Sequence, residues 1–156
     1  MADLLERRVV RCPYHLAQGY LARIIGSRVG KPGTLTLTAA FPGLELVKEV
    51  VVTYDAGSDP MHFDQPWRLN WKPKSGPYPE FDGELTVRAD ENYESSQLEL
   101  EGSYRPPGGV AGAAFDAAIG RRIAAATAYA LLERVGAELE AAYQHDEQSK
   151  SSAINS

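Results

Sequence analysis

Three kinds of side chain in this sequence could do chemistry: a histidine–carboxylate pair, a scatter of acids and hydroxyls, and a set of large aromatic rings. His62 and Asp64 form an H-x-D pair followed by Gln65. Imidazole and carboxylate can ligate zinc or iron, or move a proton as general base. A metal centre needs three or four ligands, and neither His15 nor His145 has a route to this pair, so it reads as loop surface, with no metal and no cofactor. Asp55, Asp59 and Asp64 are spread over one loop, and carboxylates divide acid and base roles only when held within several ångströms of one another. Ser95, Ser96 and Ser103 lack the G-x-S-x-G context of a nucleophile elbow. Cys12 sits beside Pro13 with nothing to lower its pKa. The run PPGGVAG, residues 106–112, could offer backbone amides to an anion, yet it has neither the G-K-[ST] ending of a P-loop nor a G-x-G-x-x-G fingerprint. It reads as a change of direction between elements, and Arg121 and Arg122 beyond it as a solvated face. No catalytic residue is assigned.

The rings follow a pattern that the polar groups do not. Tyr54 shares a face with Val50 and Val52 in the stretch Leu44 to Asp55, where the adjacent polar residues Lys48 and Glu49 break the alternation as a bulge would. Trp67, Leu69 and Trp71 alternate with Arg68, Asn70 and Lys72. Phe81, Leu85 and Val87 oppose Glu84, Thr86 and Arg88; Leu98, Leu100 and Tyr104 oppose Glu99, Glu101 and Ser103. Each of these rings therefore lies on the apolar side of its strand. Tyr78 stands apart in the loop PKSGPYPE. Rings with a polar tip suit a largely apolar pocket with a few orienting hydrogen bonds, and equally suit a packed core.

The elements that must position these rings are legible from period and punctuation. Leu4 to Arg11 is a first strand, ended by Pro13, and Tyr14 to Ile25 fits a short helix stopped at Gly26. From Thr34 the period becomes two, and FPG marks a turn. Turn signals about every ten residues then indicate an antiparallel meander with one wet face. The run from Gly112 to about Tyr143 holds no proline, is crowded with alanine and carries a stripe of Phe115, Ile119, Ile123, Leu131, Val135, Leu139 and Ala142. Such a helix would be on the order of 48 Å long, well beyond the average, and needs a large surface to lie against. A sheet around one long C-terminal helix, an α+β arrangement, follows. Residues 1–143 make one domain, and the polar stretch 144–156 is expected to be a disordered tail.

Composition bounds the function class. The chain has 156 residues, 44% of them hydrophobic and 24% charged, enough to bury a core without disulfides or metal. The single cysteine excludes an internal disulfide. No apolar run approaches a membrane span, and MADLLERR lacks the apolar core of a signal peptide, so a cytoplasmic location is expected. A net charge of −5 argues against nucleic acid as a partner. A sheet of this kind also has edge strands, through which a homodimer could form.

The order strand, short helical segment, meander and long C-terminal helix resembles the helix-grip fold of the START/SRPBCC superfamily, whose members include lipid-transfer domains, Bet v 1 plant proteins, polyketide aromatase/cyclases and coenzyme-Q-binding proteins. The likeness is closest over FDGELTVRADENYESSQLELEGSYRPPGGVAGAAFDAAIGRRIAAATAYALLERVGAELE. There Tyr104, Pro106 and Pro107 end a strand, Gly120, Arg121 and Arg122 mark the start of the helix, and Leu131 to Val135 its later part. The front departs from the superfamily in having room for about one and a half helices after the first strand, where two are common. The resemblance implies a cavity between sheet and helix that takes a small hydrophobic or aromatic ligand, lined by Tyr54, Trp67, Leu69, Trp71, Tyr78, Phe81, Tyr104, Phe115 and Ile119. It implies no universal catalytic motif, so a binding protein and a polyketide cyclase-like enzyme both stay open.

Overall fold

Alternating side chains generate six strands, and in the computed structural model, which describes residues 2–41, 44–56, 66–105 and 117–155, these form one antiparallel sheet. The strands are β1 (Ala2–Val10), β2 (Gly33–Phe41), β3 (Leu44–Asp55), β4 (Trp67–Pro73), β5 (Glu80–Ala89) and β6 (Ser96–Arg105), in the spatial order β1-β6-β5-β4-β3-β2. Helix α1 (Tyr14–Gly26) follows β1, and α2 (Ala117–Asn155) closes the chain. From β2 to β6 each strand pairs with its neighbour in sequence, whereas β1 pairs with β6 from the far end of the sequence. That pairing places β1 and β2 at opposite edges of the sheet.

Period two decides which face is buried. Leu35, Leu37, Val50, Val52, Tyr54, Leu69, Trp71, Phe81, Leu85, Leu98, Leu100 and Tyr104 all lie on the helix side of the sheet and are buried. In α1, Ala17, Leu21 and Ile25 recur every four residues and form its buried face, and Pro13 caps it by accepting the first amide bonds from Leu16 and Ala17. In α2, Ile123, Ala124, Thr127, Ala128, Leu131, Leu132, Val135 and Leu139 make a buried stripe at helical spacing. Helix α2 packs on both edge strands, β1 and β2, as well as on β6 and α1. The edges of a flat six-stranded sheet would lie roughly 24 Å apart, more than twice the width of one helix, so contact with both edges follows from a sheet that curves around it.

One charged cluster pins the helix to β1. Arg8, on the helix side of β1, donates to Glu133 at 2.9 Å and to Glu140 at 3.0 Å, and the Arg11 amide donates to the second oxygen of Glu140 at 2.9 Å. Burial alone would lower the Arg8 pKa, but the two carboxylates outweigh it and hold the guanidinium more firmly charged than usual. Room for it comes from Gly136: a Cβ there would stand 2.1 Å from Arg8 Nη1. On the outer face, Glu99 is only 4% exposed because Arg7 and Arg88 cover it from either side at 2.9 and 3.1 Å.

Two expectations are corrected. Residues 144–155 are not a disordered tail: α2 runs unbroken for 39 residues to Asn155, roughly 58 Å. No glycine or proline follows Gly136 to stop it, and Tyr20 of α1 donates to Asp146 at 2.6 Å, tying the extension down. No bulge interrupts β3, whose register with β2 is continuous from Leu44 to Val52. Lys48 instead keeps the parity of Val50 and brings its ammonium beside Gly76, while Glu49 faces the other way and pairs with Lys74 at 3.3 Å. A single helix, α1, stands between β1 and β2, where the sequence placed the short helix Tyr14 to Ile25. The expected start of the long helix, Gly112 to Asp116, lies outside the described residues.

Cys12 illustrates how burial sets reactivity. Its thiol is fully buried, donates to the Pro13 carbonyl, and has its pKa pushed up to about 11 by burial first and then by Glu140 and Glu147. At pH 8 the thiolate is therefore scarce, and labelling by a thiol reagent should be on the order of 100-fold slower than in denaturant. Equal rates would show an exposed thiol. Because the folded pKa is raised, this group's contribution to stability is complete below the unfolded thiol's pKa and is lost as pH rises through about 11.

Candidate ligand cavity

A cavity of about 210 Å³ opens where β2 and β3 face α2, lined by Arg28, Gly33, Thr34, Leu35, Val52, Tyr54, Leu131, Arg134 and Glu138. Its floor is apolar: Leu35, Val52 and Leu131 are buried, one from each wall. Its charged groups and its phenol come from three different elements. Tyr54 reaches it from the end of β3, Arg134 and Glu138 from one turn of α2, and Arg28 from the segment after α1. What positions Arg28 is its neighbour Val29, whose backbone forms a parallel bridge with Tyr54 and so lays this segment beside β3. Gly30 follows with φ of 75°, the left-handed turn that lets the chain leave the bridge for β2.

The electrostatics of this group are mixed. Arg28 is ion-paired with Glu138, whereas Arg134, exposed one turn earlier, has no ion pair among the described residues. Burial raises the pKa of the Tyr54 hydroxyl, and Arg28, which works against that rise, does not cancel it. At neutral pH this hydroxyl is therefore a neutral donor and acceptor rather than a base.

The other rings expected at a site have definite places. Trp71 is fully buried, stacks on Phe81 with ring centroids 4.3 Å apart and planes 16° apart, and donates from Nε1 to the Pro79 carbonyl at 3.0 Å. Phe81 lies flat because the cross-strand pair Gly83 and Gly102 beside it carries no side chains; a Cβ on Gly83 would stand 2.4 Å from the ring and from the Glu101 carbonyl oxygen. Leu69 is buried between these elements, Tyr104 is buried near the end of β6, and Trp67 is half-buried against Gly26 at the end of α1.

Tyr78, in the β4–β5 connection, is buried against α2, its hydroxyl 2.5 Å from Thr127 Oγ1. Thr127 spends its own proton on the Ile123 carbonyl at 2.7 Å, so Tyr78 is the donor. Burial raises the Tyr78 pKa, offset in part by Thr127. Ile119 is 43% exposed near the described start of α2. Phe115, His62, Asp59 and Asp64 lie outside the described residues, and Asp55 is exposed at the end of β3.

Of the eight expected pocket residues that the structure describes, Tyr54 is the one that borders this cavity. Arg28, Arg134 and Glu138 were not singled out from the sequence. The charges on α2 read as solvated surface, and nothing in SRVGKPG signals a bridge to β3. Leu35, Val52 and Leu131 were legible as buried positions but not as a cavity floor. Among the described residues no group of three His, Cys, Asp or Glu side chains could hold a metal ion, and no helix is long and apolar enough to cross a membrane.

No family model matches the sequence, and no curated protein matches it. Solved structures do. The protein TTHA0849 from Thermus thermophilus aligns with a TM-score of 0.52 at 10% identity, over 90% of this chain and 98% of that one. A conserved protein from Geobacillus kaustophilus gives a TM-score of 0.53 at 13% identity, over 92% and 95%. A START superfamily protein from Mycobacterium smegmatis aligns at 9% identity with a TM-score of 0.44, over 93% and 99%. At such identities the likeness is one of fold. With its curved antiparallel sheet closed by one long C-terminal helix, the chain has a helix-grip fold.

Proposed function

We propose that the protein binds a small hydrophobic or aromatic molecule in the cavity between β2, β3 and α2. The observation that carries this reading is the floor of Leu35, Val52 and Leu131 beneath a rim that holds the Tyr54 hydroxyl. An apolar concavity with a few convergent polar groups is the usual form of a small-molecule site. Native mass spectrometry of freshly purified protein, followed by denaturation and identification of any released molecule, tests it directly. A second test fills the cavity. Val52→Phe should weaken binding of an apolar probe dye at least about tenfold, or about 1.4 kcal/mol, while the far-UV spectrum stays native. Unchanged dye affinity would remove this cavity as the site.

A second reading is an enzyme similar to the polyketide cyclases, acting on the bound molecule. It is favoured by the convergence of Tyr54, Arg28, Glu138 and Arg134 on one rim, since catalysis needs several polar groups aimed at one point. In that case Tyr54, neutral at pH 7, would donate a proton or a hydrogen bond. The two readings part on the mass of what is recovered after incubation: a carrier returns its ligand unaltered, an enzyme releases a product of different mass.

A further inference from the structure

The rim of the cavity carries an unbalanced charge. Arg28 and Arg134 contribute two positive charges and Glu138 one negative, so the mouth is formally +1 in a chain whose net charge is −5. Glu138 is committed to Arg28. Arg134, four residues before Glu138 on the same helix face, has no ion pair among the described residues, although a pairing of this spacing is available to it on any helix. A guanidinium left without a carboxylate at the mouth of an apolar cavity presents a planar fork of donors that matches a ligand carboxylate.

We propose that the ligand of this cavity is a small aromatic or short-chain carboxylic acid, its carboxylate seated at Arg134 and Arg28 and its apolar body against Leu35, Val52 and Leu131. This rests on the reading that the cavity binds a small molecule, and adds the chemical class. The volume of about 210 Å³ falls below the roughly 300–1,000 Å³ of drug-sized sites, which favours a single ring or a short chain over a fused polycycle or a long lipid. One net positive charge matches a monoanion better than a phosphate dianion. The Tyr54 hydroxyl supplies a neutral donor on the same rim. Glu138 acts as an internal competitor for Arg28, so the acid must share that guanidinium or displace the Glu138 carboxylate from it.

The test uses trans-cinnamate and its neutral isostere cinnamamide, titrated calorimetrically into the full chain. The acid should bind about tenfold more tightly than the amide at low ionic strength, the gap narrowing as salt is raised. Arg134→Gln, at an exposed position that should not disturb folding, should bring the two probes close to parity by weakening the acid alone. Glu138→Gln should widen the gap, since it releases Arg28, and a merely structural role for these residues would not give this gain. Equal binding of acid and amide to the unaltered protein would overturn the carboxylate assignment and leave the cavity reading standing. So would an acid preference that survives Arg134→Gln, because the anion would then sit elsewhere. If neither probe binds while the apolar dye does, the assignment of ligand class falls alone; if the dye also fails to bind, both fall.

Discussion

Leu132→Lys is expected to yield no soluble folded protein. Leu132 is fully buried in the middle of the stripe by which α2 lies on the sheet, and its neighbours there, Ala128 and Val135, are buried too. An ammonium placed among them must lose its hydration or expel the helix, and either costs several kcal/mol out of a total stability of about 5–15 kcal/mol. The adjacent Leu131 is a weaker test despite similar burial, because it borders the cavity and a lysine stem there could extend towards the mouth. Soluble yield and the far-UV spectrum of Leu132→Lys, set beside Ala137→Lys on the exposed side of the helix, decide the matter. A Leu132→Lys protein that melts within a few degrees of the parent would mean that the helix does not depend on the sheet.

The second large effect is expected at Trp71. Trp71→Ala removes a ring with no exposed surface, its stack on Phe81 and its hydrogen bond to the Pro79 carbonyl. Truncation of a buried aromatic of this kind costs about 3–5 kcal/mol, or roughly 6–20 °C of Tm for a chain of this size. Thermal melts followed by circular dichroism measure it. A loss below about 1 kcal/mol would show that the surroundings of Trp71 already hold space that a smaller side chain leaves undisturbed, as the wall of a pocket would.

The contrast between Trp71 and Arg28 marks how much could be read in the sequence. Strand alternation fixes which side of the sheet a ring faces, so Tyr54, Leu69, Trp71, Phe81 and Tyr104 were all legible as helix-facing. Alternation says nothing about whether such a ring meets another ring or a void. For Trp71 the answer lies in the glycine pair on β5 and β6, which lets Phe81 lie flat and take the Trp71 stack. For Tyr54 it lies in a tertiary event, the bridge to Val29, which carries Arg28 to Glu138 across 110 residues of chain. Charges on a long helix read as solvent-facing because most of them are, and only the crossing of α2 over the β2–β3 end of the sheet separates Arg134 and Glu138 from the rest. The end of α2 escaped for the opposite reason: a polar run with no helix breaker carries the composition of a tail and the propensity of a helix, and here the contact between Tyr20 and Asp146 favours the helix.

Gly136 has a consequence for how this sequence can change over generations. Its missing side chain is the space that Arg8 fills, and the three atoms nearest to a Cβ there all belong to that one guanidinium-bearing side chain. Alanine at 136 therefore requires the Arg8 side chain to shift from its place between Glu133 and Glu140, and should become harmless, even favoured by a helix interior, once position 8 holds something small. Losing Arg8 first, however, leaves Glu133 and Glu140 without their shared cation. Positions 8, 133, 136 and 140 are thus coupled through Arg8: a change at one alters the cost of a change at the others. Among diverged relatives of this fold they should be found to co-vary across a sequence gap of more than a hundred residues.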